Sequence, residues 1–309
     1  MPYHVAPQYV GCGNAGRGNT EATELHPFRS VLYMPGSNPR ALEKARGLPA
    51  DALILDLEDA VAPDAKDEAR KLVAGAVAEG GYGPRRLLIR INGLDTRWGA
   101  EDLEAALSVR PHAILLPKVL RARDVAVIAD TLSAADPNHP TKLWAMIETP
   151  QGVLNAAEIA RAPRMAGFVM GTNDLAKDLR CRTRADRLPL IGALSHCLLA
   201  ARAAGIVCLD GVYNAFRDEA GLRSECEQGR DLGFDGKTLI HPAQLAIAND
   251  VFAPTTEEIA TARAQVEAYE AARARGEGVA VLNGQIVENL HVETARQTLA
   301  KAQAIADMG

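Results

Sequence analysis

The chain has 309 residues, of which 48% are hydrophobic and 24% charged, and its formal net charge is −5. This composition excludes an intrinsically disordered chain and is typical of a globular protein with a large core. An acidic chain without a basic block favours neither a nucleic-acid partner nor an anionic membrane, and no apolar run reaches the roughly 18 residues that span a bilayer. The first residues also lack the pattern of a signal peptide, so we expect a cytoplasmic protein.

Residues 1–28 are rich in Gly, Asn and Thr without an apolar period, and we expect a flexible N-terminal extension there. Gly11, Gly13 and Gly16 match GxGxxG, but no strand precedes them and no helix follows, so they do not predict a dinucleotide site. The cysteines are odd in number and form no CxxC pair, which predicts reduced thiols and neither a disulfide framework nor a zinc site. They are Cys12, Cys181, Cys197, Cys208 and Cys226, and Cys208 falls in a predicted core strand.

From residue 29 to about residue 253, short apolar runs alternate with amphipathic helical segments. The runs are continuously apolar, as expected for parallel strands buried on both faces. They span residues 30–36, 52–59, 85–92, 113–119, 142–149, 167–174, 206–213 and 236–242. Eight such units predict an α/β protein with a (β/α)₈ TIM barrel, and a doubly wound sheet is the alternative.

Residues 254–309 follow the predicted barrel as a C-terminal helix–hairpin–helix extension. Helices are predicted over about 255–275 and 293–307, and Asn283-Gly284 predicts a type I′ turn between two short strands. This extension carries Glu288, and we interpret it as an oligomer contact or a lid.

Active sites of such barrels lie at the carboxyl ends of the strands. Polar side chains stand at these predicted ends, and we expect them to meet on one rim: Asn38, Asp56, Glu58, Asp59, Arg90, Asn92, Lys118, Glu148, Asp174, Asp210 and His241.

Glu148 and Asp174 end neighbouring strands and are predicted to bind a metal ion and the substrate oxygens next to it. Two carboxylates completed by waters and substrate suit Mg²⁺, with Mn²⁺ as a second option, and no softer ligand cluster points to zinc or iron. The alternative is that both acids only cap the helices that follow them.

Arg90 offers a planar fork to a carboxylate or an enolate oxygen, and its alternative role is a structural partner of Asp56 or Glu58. We expect Asp56 to orient Arg90 and metal-bound waters. Lys118 permits a Schiff-base mechanism, which a metal site makes unnecessary.

The stretch from Tyr33 to Lys44 joins a strand to a helix, with Asn38 and Arg40 between them. Amides at a helix start beside two cations can receive the phosphates of a nucleotide-like handle, although the same residues describe an ordinary loop.

Several motifs, in order, resemble the citrate lyase beta-subunit-like proteins, including the malyl-CoA and citramalyl-CoA lyases of the HpcH/HpaI aldolase superfamily. They are VLYMPGSNPRALEKA, ADALILDLEDAVAPDAKDEAR, RINGLDT, LPKV, MIETPQG, GTNDLA, GKTLIHPAQLAIANDVFAP and GQIVEN, and the resemblance covers about residues 29–305.

The resemblance implies a (β/α)₈ barrel in trimers or dimers of trimers, with Mg²⁺ on Glu148 and Asp174. It implies a CoA thioester near Tyr33, Lys44 and Arg90. Asn38 stands where malyl-CoA lyases have an arginine, a place that Arg40 can fill. Glu288 stands where the family carries an aspartate that reaches a neighbouring subunit's site.

The activity that the resemblance implies is that of a Mg²⁺-dependent carbon–carbon lyase. Such an enzyme cleaves or forms malyl-, methylmalyl- or citramalyl-CoA from acetyl-CoA or propionyl-CoA and glyoxylate or pyruvate. Arg90 would stabilise the enolate and Glu288 would move the proton. The alternatives are a malyl-CoA thioesterase on the same site, a citryl-thioester lyase subunit with an acyl-carrier partner, and a non-catalytic scaffold.

Overall fold

The computed structural model describes residues 26–308. The glycine motif at residues 11–16, Cys12 and most of the predicted N-terminal extension therefore lie outside the described residues.

Eight parallel strands form a closed barrel in sequence order, each paired with the next and the last paired with the first. The strands are β1 (Ser30–Pro35), β2 (Ala52–Asp56), β3 (Arg86–Arg90), β4 (Ala113–Leu116), β5 (Lys142–Ile147), β6 (Met165–Met170), β7 (Val207–Asp210) and β8 (Gly236–Leu239). The predicted TIM barrel is confirmed, and the doubly wound alternative is wrong because β1 pairs with both β2 and β8.

Helices cover the outside of the barrel. They are α1 (Pro39–Ala45), α2 (Lys66–Glu79), α3 (Gly99–Val109), α4 (Ala122–Ala135), α5 (Pro150–Leu154), α6 (Ala156–Ile159), α7 (Thr172–Asp178), α8 (Leu188–Ala204), α9 (Glu219–Leu232) and α10 (Leu245–Val251). Pro63 and Asp64 begin a short 3₁₀ turn that leads into α2, which starts at Lys66.

Strand alternation divides the core into two layers. Leu32, Leu53 and Leu55 belong to the large cluster between strands and helices, whereas Val31 and Ile54 belong to the smaller cluster that fills the barrel. Because side chains alternate along a strand, the inward position above Ile54 is Asp56. The inward residues at the carboxyl end of the barrel are therefore fixed by parity.

Several strands end earlier than predicted, because polar side chains turn the chain. In β2 the Asp56 carboxylate accepts hydrogen bonds from the amides of Glu58 (2.8 Å) and Ala60 (3.0 Å), which pulls the acidic run out of the strand. After β8 the ring of His241 accepts from the amide of Ala243 at 3.1 Å and starts a 3₁₀ turn.

The C-terminal extension consists of α11 (Thr256–Ala274), the strands β9 (Ala280–Leu282) and β10 (Gln285–Val287), and α12 (Asn289–Asp307). The predicted hairpin is confirmed, with positive φ angles of 49° at Asn283 and 79° at Gly284. The last helix starts at Asn289, four residues before the predicted 293, so Glu288 is its N-cap residue.

The extension has its own small core, which joins α11, the hairpin and α12 through Ala272, Ala280, Val287 and Val292. Across residues 26–308, no helix combines the length and the apolarity of a membrane span. The four cysteines of this range are free thiols, and Cys208 is buried in β7 as predicted.

Candidate active site

A cavity of about 300 Å³ opens at the carboxyl end of the barrel. Tyr33 from β1, Asp56 from β2, Arg90 from β3, Glu148 after β5 and Asp174 in α7 all line it. The structure thus brings together five of the predicted site residues, which come from five different strand ends.

Arg90 and Asp56 form the most buried ion pair of this cavity. The register of β2 and β3 places the two residues directly opposite each other. The Arg90 Nε and Nη2 atoms donate to the two Asp56 oxygens at 2.6 and 2.5 Å. Burial alone would lower the pKa of Arg90, but the hydrogen bonds and charge of Asp56 raise it, so the guanidinium stays charged at all working pH values. This ion pair fits both roles predicted for Arg90, that of a charge oriented by Asp56 towards a ligand and that of a structural partner of Asp56.

Glu58 links Arg90 to Lys118 across the rim. Its carboxylate lies 3.0 Å from Arg90 Nη1 and 2.8 Å from Lys118 Nζ. Burial would lower the pKa of Lys118, but the hydrogen bond to Glu58 outweighs it and raises the pKa. Schiff-base chemistry needs a neutral amine, so this ion pair argues against the lysine-aldolase alternative.

Among residues 26–308, Tyr33 supplies the only aromatic ring of the cavity lining, and the Arg90 guanidinium lies 4.9 Å from its centre. Its hydroxyl is buried, and no atom within residues 26–308 forms a hydrogen bond with it. Burial raises the pKa of this hydroxyl, so it remains a neutral donor. A buried polar atom without a partner at the wall of a cavity points to a bound ligand, since leaving it unsatisfied costs about 1–3 kcal/mol.

Glu148 is held away from solvent, with 3% of its surface exposed. Burial raises its pKa to about 7, although the amide of Lys118 donates to Oε1 at 2.7 Å and opposes the shift. Thr149, and not Glu148, caps α5 by accepting from the amide of Gly152. The helix-cap alternative for Glu148 is therefore wrong.

Asp174 lies in the first turn of α7, whose cap position is Gly171. A Cβ atom at Gly171 would collide with Glu148, with only 2.7 Å left to its Oε2 atom. Glycine at this position lets the turn that carries Asp174 pack directly against Glu148, and the charge of Asp174 acts on the Glu148 carboxyl.

The two carboxylates fit a Mg²⁺ ion. Within residues 26–308 no group of three or more His, Cys, Asp or Glu side chains could hold a metal. Mg²⁺ does not need such a cage, because it keeps several waters and is commonly bound by one or two carboxylates plus substrate oxygens. Carboxylate oxygens also suit Mn²⁺ and exclude a thiolate or imidazole type of site.

Four predicted residues do not line the cavity. Asn38 caps α1 by accepting from the amide of Ala41, and Arg40 and Lys44 are exposed on the same short helix. Glu288 is exposed, and its amide donates to the ring of His291. These roles stay predictions.

The predicted rim also contains an error at Asp210. This residue points out of the barrel and accepts from Arg187 Nη1 at 2.7 Å on both oxygens, and the fully buried Lys237 lies 3.3 Å away. Burial would raise the pKa of Asp210, but these two cations lower it. Asp210 belongs to a structural ion cluster behind the barrel wall.

The sequence interpretation missed Asn173 and Asn214, which line the cavity and bind each other through their side-chain amides at 2.8 and 3.2 Å. Asn173 stands inside the motif GTNDLA, one residue before Asp174, so a signal existed. No motif of the sequence points to Asn214.

A larger groove of about 880 Å³ lies beside the site, between the loops that follow β3 and β4. Glu58 and Lys118 line it together with other polar and charged residues and with apolar side chains such as Ile91, Leu94 and Val127. It borders Glu148 on the side of Lys118, whose amide donates to that carboxylate.

A profile of the HpcH/HpaI aldolase/citrate lyase family matches residues 29–242. The chain belongs to this family. The resemblance drawn from the motifs is therefore confirmed, and the protein is an enzyme of the HpcH/HpaI aldolase/citrate lyase family.

Its relatives carry two kinds of name. The chain is 62% identical over 285 residues to a (3S)-malyl-CoA thioesterase of Cereibacter sphaeroides, covering 92% of this chain and 98% of that protein. It is 39% identical to the citrate lyase subunit beta of Escherichia coli, covering 89% of this chain and 93% of that subunit. Among solved structures, the protein CitE of Mycobacterium tuberculosis in complex with magnesium, acetoacetate and coenzyme A superposes with a TM-score of 0.73 at 32% identity, covering 90% of this chain and 98% of that chain.

Proposed function

We propose that this enzyme hydrolyses a malyl-CoA-type thioester with Mg²⁺ bound by Glu148 and Asp174. The observation that carries the proposal is the 62% identity to a (3S)-malyl-CoA thioesterase over 98% of that protein. The prediction from the sequence favoured carbon–carbon cleavage and kept hydrolysis as the alternative. The identity to a thioesterase favours hydrolysis instead, so carbon–carbon cleavage is the second candidate.

The cavity supports such a substrate through its charges. Bound Mg²⁺ would supply a Lewis acid for the hydroxyl and carboxylate oxygens of the malyl group. Arg90, held by Asp56, presents a permanent positive charge to the thioester carbonyl, where negative charge develops when water attacks. The Tyr33 hydroxyl has no partner in the described chain and donates to the same ligand.

The thioester handle needs more room than a cavity of about 300 Å³ offers. Asn38 and Arg40 are exposed at the start of α1 and Lys44 is exposed in its last turn, next along the chain from Tyr33. We therefore keep them as the binding site for the phosphates of CoA.

We assign proton transfer to Glu288 of a neighbouring subunit. Glu288 does not line the cavity of its own chain. The hairpin before it exposes 68% of Val281 and 61% of Ile286, and Leu290 just after it is 58% exposed, as expected for a surface that contacts another protein. In hydrolysis Glu288 accepts a proton from the water whose oxygen bonds to the thioester carbonyl carbon, and it gives that proton to the CoA sulfur as the carbon–sulfur bond breaks.

A specific observation favours the second candidate as well. The citrate lyase subunit beta is 39% identical over most of its length. A guanidinium fixed beside two carboxylates also stabilises the enolate that carbon–carbon cleavage of malyl-CoA would release. Products separate the two reactions, since hydrolysis gives malate and free CoA whereas cleavage gives glyoxylate and acetyl-CoA.

The test is an assay of the purified protein with (3S)-malyl-CoA that quantifies all four products. We expect malate and CoA in equal amounts, loss of turnover in EDTA and recovery with added Mg²⁺. Glyoxylate and acetyl-CoA in equal amounts would favour the lyase, and no product of either kind would overturn both. Turnover that is indifferent to EDTA would remove the metal from the mechanism.

A second experiment tests whether Glu288 of one subunit acts in the cavity of another, by mixing two inactive variants. Glu288→Gln and Arg90→Met are each expected to lose turnover when pure. Dissociating and reassembling them together pairs an intact cavity with an intact Glu288 in about one site in four, if the symmetric oligomer assembles at random. Recovery of activity in the mixture supports delivery by a neighbour, and a mixture as inactive as its components contradicts it.

A further inference from the structure

Lys118 adopts a backbone conformation that its side chain does not favour. Its φ angle is +50°, in the left-handed region that non-glycine residues rarely occupy. It follows β4 and Pro117, and because proline has no N–H, the amide of Lys118 is the first donor after the strand. Strained residues cluster at functional sites, where the surrounding structure has to enforce them.

Two contacts of Lys118 reach the two halves of the candidate site. Its amide donates to Glu148 Oε1 at 2.7 Å, on the metal side. Its ammonium lies 2.8 Å from Glu58 Oε1, and the other Glu58 oxygen lies 3.0 Å from Arg90, on the thioester side. The backbone amide of Lys118 thus binds the Glu148 carboxylate, while its side chain binds the Glu58 carboxylate.

We propose that Lys118 is a positioning residue whose left-handed backbone fixes Glu148 for Mg²⁺ through its amide. The inference rests on the proposed metal role of Glu148 and deepens it. An amide donor on Oε1 leaves Oε2 free to face the cavity, next to Gly171 and the turn that carries Asp174. The ammonium of Lys118 has a separate role, since it contacts Glu58 and through Glu58 affects Arg90.

The backbone and the ammonium can be separated by two substitutions. Lys118→Gly removes the ammonium but accepts a positive φ without strain, so the amide stays in place. Lys118→Val also removes the ammonium, but a β-branched residue strongly disfavours a positive φ. Any difference between the two variants therefore reports the backbone and not the charge.

Arg110 provides the matched control. It has a φ angle of +48° at the end of α3, is exposed there, and pairs only with Asp136 at 3.2 Å. Arg110→Gly and Arg110→Val carry the same backbone contrast away from the cavity. Their melting temperatures measure what the left-handed conformation costs by itself.

The experiment measures the Mg²⁺ dissociation constant of the whole protein by titration calorimetry, without substrate. We expect wild type and Lys118→Gly to agree within about threefold and Lys118→Val to bind at least about tenfold more weakly, because a ligand displaced from its geometry loses affinity. Both Arg110 variants should bind Mg²⁺ as wild type does. For Lys118→Gly we expect a raised KM for the thioester, since Glu58 has lost one of its two cations.

Equal Mg²⁺ affinity of Lys118→Gly and Lys118→Val would overturn the positioning role while leaving the metal site intact. Absence of Mg²⁺ binding in the wild type would instead overturn the metal site. In that case crystal structures of the two variants still decide the inference, which requires the Glu148 carboxylate to move in the valine variant and to stay in the glycine variant. If Lys118→Val does not fold, Lys118→Ala replaces it as the milder non-glycine variant.

Discussion

Two buried ion clusters of this barrel look alike and differ in what they can do. One consists of Arg90, Asp56 and Glu58 at the ends of β2 and β3. The other consists of Asp210 at the end of β7, Lys237 near the start of β8 and Arg187 just before α8. Each joins arginine to a fully buried aspartate. The first faces the cavity and the second faces the surrounding helices. The direction of a side chain, and not its burial or charge, separates a candidate active site from a structural support.

The two clusters also differ in how completely they are satisfied. Lys237 Nζ contacts the Gly211 carbonyl and the carboxylates of Glu225 and Asp210, and Arg187 Nε donates to Gln228. Beside Arg90, by contrast, the Tyr33 hydroxyl has no partner in the described chain. A closed network stabilises the fold, whereas an open one has capacity left for a ligand.

Replacing Arg90 and Arg187 in turn should show the largest difference between the two clusters. We expect Arg90→Met to lower kcat/KM by about a hundredfold or more, because a charge aimed at the reacting carbonyl is lost. Arg187→Met should lower the free energy of unfolding, on the order of 3 kcal/mol, because it breaks a buried pair. Its turnover per folded molecule should stay near that of wild type. Denaturant unfolding and kinetics at a temperature where both variants are folded measure the two effects.

The matched pair also controls for stability, since Arg90→Met leaves Asp56 without its cation and should unfold more easily as well. Only the kinetic loss is expected to be specific to Arg90. If Arg187→Met loses as much turnover per folded molecule as Arg90→Met, the division between a cavity cluster and a supporting cluster is wrong.

Most of the fold was predictable, because buried parallel strands leave continuous apolar runs that need no knowledge of packing. The meeting of Glu148 and Asp174 at one cavity was predictable for the same reason, since both follow such runs on neighbouring strands, and their role as metal ligands stays a prediction. The residues at which the strands end were less predictable from the sequence. Asp56 looks like a strand residue in the sequence, and only its bonds to the amides of Glu58 and Ala60 end β2 there.

The error at Asp210 concerns strand parity, which a continuously apolar run does not show and the structure does. Leu209 belongs to the cluster inside the barrel, so the next residue must point outward. The same parity count, two residues on from Ile54 and Leu88, selects Asp56 and Arg90 for the cavity. Contacts such as the amide of Lys118 on Glu148 depend on loop backbone angles, which no residue pattern encodes. The proposed contribution of Glu288 to the site of a neighbouring subunit is not a property of a single chain.

The pKa values of Glu148 and Asp210 are shifted in opposite directions, which gives a smaller difference between the cavity and the supporting cluster. Burial raises the pKa of Glu148 from 4.5 to about 7 in the metal-free protein, whereas Lys237 and Arg187 lower that of Asp210 below 3.8. A raised pKa means that the folded state holds a proton which the unfolded state has released. The contribution of Glu148 to stability is therefore complete below about pH 4.5 and is lost as the pH rises to about 7, by at most about 3 kcal/mol. The contribution of Asp210 has the opposite sign: it is present above pH 3.8 and lost on further acidification.

The proposed metal role of Glu148 requires its ionised carboxylate. The Mg²⁺ affinity should therefore be constant above about pH 7 and fall about tenfold for each pH unit below it, because the proton competes with the metal. Calorimetric titration between pH 5 and about pH 8 measures this slope, and Glu148→Gln supplies the control for the stability curve. In that variant the loss of stability between about pH 4.5 and pH 7 should disappear, while the loss below pH 3.8 should remain. A Mg²⁺ affinity that does not change between pH 5 and about pH 7 would mean that Glu148 is already ionised when the metal arrives. Solvent or a neighbouring subunit would then offset the burial that sets this carboxyl apart from Asp210.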